Sequence, residues 1–262
     1  MSNTVLYNVS NQVATVTLNK PERRNALDPE TLGLMKDAFN RAGEDADVRV
    51  VVLNGNGDGF CAGADLAATA AAKSASQMIE EYYKPSFMAL AELEKPVIGS
   101  INGAAAGSGC ALALLCDLLV MSEDAYLLLA FSNIGLVPDC GANWLLPRAI
   151  GYQRAYQVAI EGGKLKAADC LSLGIANKIV EPPQLAATTQ AWASELATRA
   201  PLSMGLTKKL MRESFTQSYG EIFSLEGHLQ EECMASADFA EGISAFFEKR
   251  PAVFKGKAAH VQ

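Results

Sequence analysis

Apolar and polar residues alternate at the start of the chain. Val5–Val9 and Val13–Leu18 are short β-rich runs around Ser10-Asn11-Gln12, which predicts a hairpin. Asp28 before Pro29 signals a helix start, with Leu32, Met35 and Phe39 on one face and an end near Gly43. Val48–Leu53 is a continuous branched run, as expected of a strand covered on both faces, and Asn54–Gly59 is a turn-rich loop. Phe60–Leu66 forms another glycine turn. It leads into the alanine-rich stretch Ala67–Ser76, read as a lid over a site.

A helix from about Gln77 to Leu93 stops before Pro96. Val97–Ile101 is an apolar strand followed by a glycine turn and an apolar helix, and Asp117–Met121 and Ala125–Leu129 are further strands. Strand and helix therefore alternate, which predicts an α/β fold with parallel pairing. After Arg148 the pattern is helical, at 153–161, 167–173, 183–199, 202–214, 222–235 and 239–247, with one expected edge strand at Ala176–Val180. This divides the chain into a core of residues 1–200 and a helical subdomain of residues 201–262.

Half of the 262 residues are hydrophobic, enough for a sizeable core. Twenty-two Lys and Arg against 29 Asp and Glu leave a charge of −7, which argues against nucleic acid or an anionic membrane as partner. An anionic ligand must then be held by local groups. Six cysteines without a C-x-x-C pair, and an N-terminus without a signal or transit pattern, predict a reducing cytoplasm with thiols used as small core residues. The uncharged run Val97–Cys116 approaches the length of a membrane span, but Ser100, Asn102, Ser108 and four glycines interrupt it. Only His228 and His260 are present, far from any metal-ligand spacing, so no metal is expected.

The candidate chemistry lies between Asn102 and Arg148. The glycine turn Asn102–Gly109 presents backbone N–H groups at a helix start, a seat for an oxyanion. Downstream, Asp139 is the only acid between Asp124 and Glu161 and sits among Val137, Pro138, Cys140 and Trp144. A carboxylate in apolar company has its pKa raised and can move protons near neutrality. The plain alternative is that Asp139 caps the helix beginning near Ala142.

Segments along nearly the whole chain resemble the crotonase superfamily, the enoyl-CoA hydratase/isomerase family. They are Asn19-Lys-Pro with Asn25-Ala-Leu27, Phe60-Cys-Ala-Gly-Ala-Asp65, Pro96-Val-Ile with Asn102-Gly and Gly107-Ser-Gly109, Cys116-Asp117, Gly135-Leu-Val-Pro138, Leu146-Pro-Arg148 and Gly242 through Lys249. The resemblance implies a spiral of ββα units with a C-terminal helical region, trimers that pair into hexamers, and an acyl-CoA thioester as substrate, with no cofactor beyond the coenzyme A that the substrate carries. It also implies that the Ala64 and Ser108 N–H groups bind the thioester oxygen and stabilise an enolate. Ser108 stands where glycine is usual, and a backbone donor does not require a particular side chain.

Family hydratases carry two glutamates, at positions held here by Ala111 and Phe131. Their absence argues against water addition. The context of Asp139 is similar to that of the single-Asp isomerases of phenylacetate degradation, which implies a 1,3-proton shift converting a 3-enoyl-CoA into a 2-enoyl-CoA. The resemblance further places Ala62, Asp65 and Leu66 beside the substrate, Phe131 and Trp144 at the acyl pocket, and Arg24, Phe246 and Lys249 near the coenzyme. Asp65 alternatively orders its own loop, and Asp117 reads as structural. Two other functions stay open: a thioester hydrolase or dehalogenase with Asp139 as nucleophile, and a CoA-thioester-binding protein without catalysis.

Overall fold

The computed structural model describes residues 3–65, 67–68 and 74–256. Among these residues, ten strands form two sheets. The first contains β1 (Val5–Ser10), β2 (Val13–Leu18), β3 (Val50–Gly55), β5 (Val97–Ile101), β7 (Leu118–Ser122) and β10 (Lys178–Val180), in that spatial order. β1 and β2 are the expected antiparallel hairpin, and every other pair in this sheet is parallel. The second sheet orders β4 (Gly59–Cys61), β6 (Ala104–Ala106), β8 (Tyr126–Leu128) and β9 (Lys164–Lys166).

Consecutive strands alternate between the sheets. β3, β5 and β7 lie in the first while β4, β6 and β8 lie parallel in the second, which gives the spiral of ββα turns. Two expectations need correction. Phe60-Cys61 is itself a strand rather than part of a turn, and β9 is a second interruption of the helical half, paired antiparallel to β8. Both strands have three residues, shorter than the run over which alternation becomes visible.

α1 (Pro29–Glu44) starts as expected, with the Asp28 carboxylate accepting the Thr31 N–H at 2.8 Å. The helix expected over 77–93 is interrupted. α2 (Ala75–Met78) passes through a π turn (Ile79–Tyr83) into α3 (Lys84–Ala91). Pro85 explains the interruption: it has no N–H for the Glu81 carbonyl, and the Lys84 N–H bonds to Ile79 O.

α4 (Ser108–Leu115), α5 (Ala142–Ile150), α6 (Tyr152–Glu161) and α7 (Ala167–Ser172) follow, then α8 (Leu185–Ala197), α9 (Pro201–Glu213), α10 (Tyr219–Met234) and α11 (Ala237–Glu248). In β3, Val51 and Leu53 face the main core, with α1, α3 and α4. Val50 and Val52 face the opposite side, with Leu185, Ala193 and Ala197 of α8. This double cover is what the unbroken branched run requires. Asp117 accepts the Val97 N–H and pairs with Lys208 and Arg212 at 2.7 and 2.9 Å, which ties α9 to the central sheet. No helix among the described residues is long and apolar enough to cross a membrane.

Candidate active site

Two glycine turns meet where β4 and β6 end. Gly63 and Gly107 have φ of 91° and 54°, a region that L side chains rarely adopt. A Cβ on Gly63 would lie 2.6 Å from Ala106 O and 3.3 Å from Ser108 N, so only glycine lets these backbones approach so closely. Ala64 bridges to Leu27: the Leu27 N–H donates to Gly63 O at 2.7 Å, and the Asp65 N–H to Leu27 O at 2.9 Å. Successive peptide groups of an extended chain point to opposite sides, which turns the Ala64 N–H away from Leu27. Ser108 is the first residue of α4, and a first-turn N–H has no acceptor within its helix.

Asn25 holds this arrangement from below. It is buried, and its amide donates to Asn56 O, Gly59 O and Phe60 O at 2.9 to 3.1 Å while its oxygen accepts the Lys20 N–H. The Asn25-Ala-Leu27 motif thus stitches the β3–β4 loop to the strand that Ala64 joins.

Asp139 lies in the loop before α5, between Gly135 (φ 73°) and the pair Cys140 and Gly141 (φ 53° and 83°). The helix-capping alternative is overturned. α5 is capped by Gly141 without a side-chain bond, and only the backbone carbonyl of Asp139 accepts the Ala142 N–H. The Asp139 Oδ1 is buried and has no hydrogen-bond partner among the described residues. Burial raises its pKa above the ordinary 3.8, opposed by the Cys140 thiol and by its own N–H.

Tyr83, Cys61, Cys140 and Ser108 form a cluster of neighbours with Asp139. Burial pushes the Tyr83 phenol up, negative charge on the neighbouring Asp139 adds to this, and the Ser108 hydroxyl opposes it. Cys61 is pushed to about 12 by burial. Tyr83 lies in no motif, and Cys61 and Cys140, although they stand in or beside the segments that carry the family resemblance, read there as small core residues. The signal for Tyr83 was its register with Phe87 and Leu90, which marks a buried face and says nothing about the hydroxyl.

Of the other candidates, Phe131 is brought in: its Cζ lies 3.9 Å from where a Cβ on Gly107 would stand. Asp65 accepts the N–H groups of Ala67 and Ala68, as the loop-ordering alternative expected. Ala62 is exposed, and its N–H bonds to the carbonyl of Arg24, itself an exposed left-handed residue. Trp144 packs edge-on against Phe215 and under the Arg148 guanidinium, so its ring contacts lie outside the cluster. Phe246 is exposed and edge-on to Phe247, and Lys249 closes α11 in the left-handed conformation; neither joins the cluster. Leu66 and residues 69–73 of the expected lid Ala67–Ser76 lie outside the described residues, as does His260.

The profile of the enoyl-CoA hydratase/isomerase family matches residues 8–257. The chain belongs to that family. Among its enoyl-CoA hydratase/isomerase relatives is the 1,2-epoxyphenylacetyl-CoA isomerase of Escherichia coli K12, 38% identical, with 97% of this chain and 98% of the relative covered. A protein named probable enoyl-CoA hydratase from Rhodobacter capsulatus is 35% identical over the same shares of the two chains. The crystal structure of an enoyl-CoA hydratase from Bacillus anthracis superimposes with a TM-score of 0.92 at 28% identity, covering 97% of this chain and all of the other. Relatives named isomerase and hydratase both match nearly the whole chain, so the family match does not by itself separate the two activities.

Proposed function

We propose that this enzyme is an acyl-CoA isomerase that shifts a double bond, or rearranges a related ring-derived thioester, with Asp139 as its proton carrier. The observation that carries this reading is the buried Asp139 Oδ1, without a hydrogen-bond partner among the described residues, while the buried Ala111 and Phe131 stand at the positions where the resemblance puts the glutamates of family hydratases. The Ala64 and Ser108 N–H groups take the thioester oxygen. Asp139 removes a proton from C2 of a 3-enoyl-CoA, the electron pair delocalises onto that oxygen as an enolate, and Asp139 returns the proton at C4. The double bond moves from C3 to C2 with no net gain or loss of atoms. Fixed donors aimed at a developing oxyanion contribute about 3 kcal/mol each in comparable sites. A carboxylate with a raised pKa is matched to carrying one proton out and back.

The test is proton exchange at C2 of an acyl-CoA in D₂O. The native chain should incorporate deuterium, and Asp139→Asn should exchange about a hundred- to ten-thousand-fold more slowly. Equal exchange by both removes Asp139 from the mechanism. A covalent adduct on Asp139 detected by mass spectrometry would favour the nucleophilic reading instead. That reading lacks support in the pocket, since His228, the only described histidine, is exposed on α10.

A further inference from the structure

Tyr83 has a polar tip that the proposed proton shuttle does not use. It is 6% exposed, its ring packs on Phe87 at 6.3 Å between centroids, and it ends the π turn that Pro85 forces into the helix. A π turn shifts the register of the residues before it against those after it, and this register carries Tyr83 inward. Its hydroxyl donates to Leu27 O in a long bond of 3.4 Å. That carbonyl is also the acceptor of the Asp65 N–H in the bridge that holds Ala64. The Ser108 Oγ, on the other turn, is buried and has no hydrogen-bond partner among the described residues. The Tyr83 hydroxyl therefore holds the segment that carries one of the two candidate oxyanion donors.

We infer that Tyr83 is a positioning residue: its hydroxyl holds the Leu27 carbonyl of the Leu27–Ala64 bridge, and so sets where the Ala64 N–H stands relative to the first turn of α4. This rests on the oxyanion reading of Ala64 and Ser108. The phenol is suited to the task because burial and the neighbouring acid keep it protonated, and a protonated phenol can donate to a carbonyl. A misplacement of about 1 Å at a reacting centre costs on the order of a hundredfold in rate. Removing a hydroxyl while the ring stays in place should cost less, about tenfold.

The experiment combines two readouts on full-length protein. The first is the red shift of a chromophoric cinnamoyl-CoA thioester on binding, which reports polarisation of its carbonyl by the donors. The second is C2 deuterium exchange. Native protein should show both, and Asp139→Asn should keep the red shift and lose exchange. Tyr83→Phe should lose at least half of the red shift and exchange about tenfold more slowly, with the probe's Kd little changed. A full red shift and native exchange in Tyr83→Phe overturn the inference while leaving the proposed function intact. Absence of both signals in native protein overturns the two together. Phe87→Leu controls for packing: if it lowers Tm as much as Tyr83→Phe and loses the red shift equally, Tyr83 acts through the core alone and the inference fails.

Discussion

Asp139 is held at a cost to stability that its titration should expose. Burial raises its folded pKa above the ordinary 3.8, so the folded chain binds this proton more tightly than the unfolded chain. The stabilising contribution of the neutral form is complete below 3.8 and is lost as pH rises through the raised value. At pH 7 to 8 the carboxylate is therefore a net liability. Asp139→Asn should raise Tm there by about 2 °C, a modest gain because the group is partly solvent-screened, and the gain should vanish in acid. Calorimetry at pH 3.5 and 7.5 checks this, and a Tm difference that grows toward acid would contradict it. The importance of Asp139 was legible from its isolation among apolar residues. Tyr83 was not legible, because a buried tyrosine at helical spacing reads as core and its partner Leu27 lies 56 residues away.

The long strands and helices were visible because each spans enough residues to display a period. β4, β6 and β9 were not, since three residues such as Ala104–Ala106 give neither alternation nor a branched run. The second sheet, whose ends carry the two glycine turns, was for that reason absent from the residue-level reading. The glycines of the turns nevertheless pointed to it. Gly63→Ala would force a left-handed φ on a residue with a Cβ only 2.6 Å from Ala106 O. It should destabilise by about 2 kcal/mol or more and slow C2 exchange beyond about tenfold. Gly33, inside α1 with nothing within 4 Å of an added Cβ, is the contrasting case. Gly33→Ala should stabilise by about 0.5–1 kcal/mol and leave exchange unchanged. Urea midpoints for the pair separate turn strain from helix propensity, and equal effects would discard this account of Gly63.

The chain taken whole leaves large apolar side chains uncovered. Tyr152, Tyr156 and Ile160 share one face of α6, Tyr219 and Phe223 stand out from α10, and Phe246 and Phe247 end α11. Exposure on this scale marks surfaces that associate, and we propose that copies of the chain meet there, as the family resemblance implies. Light scattering should return the mass of three or six chains, and a monomer at micromolar concentration would reject the proposal. Ile134, Leu136 and Val137, 62%, 55% and 79% exposed, precede Asp139 in the same loop. If a neighbouring copy covers these side chains, the loop that holds the acid is steadied from outside its own chain. Turnover per chain should then decline on dilution below the dissociation constant of the assembly and return when inactive Asp139→Asn chains are added as filler.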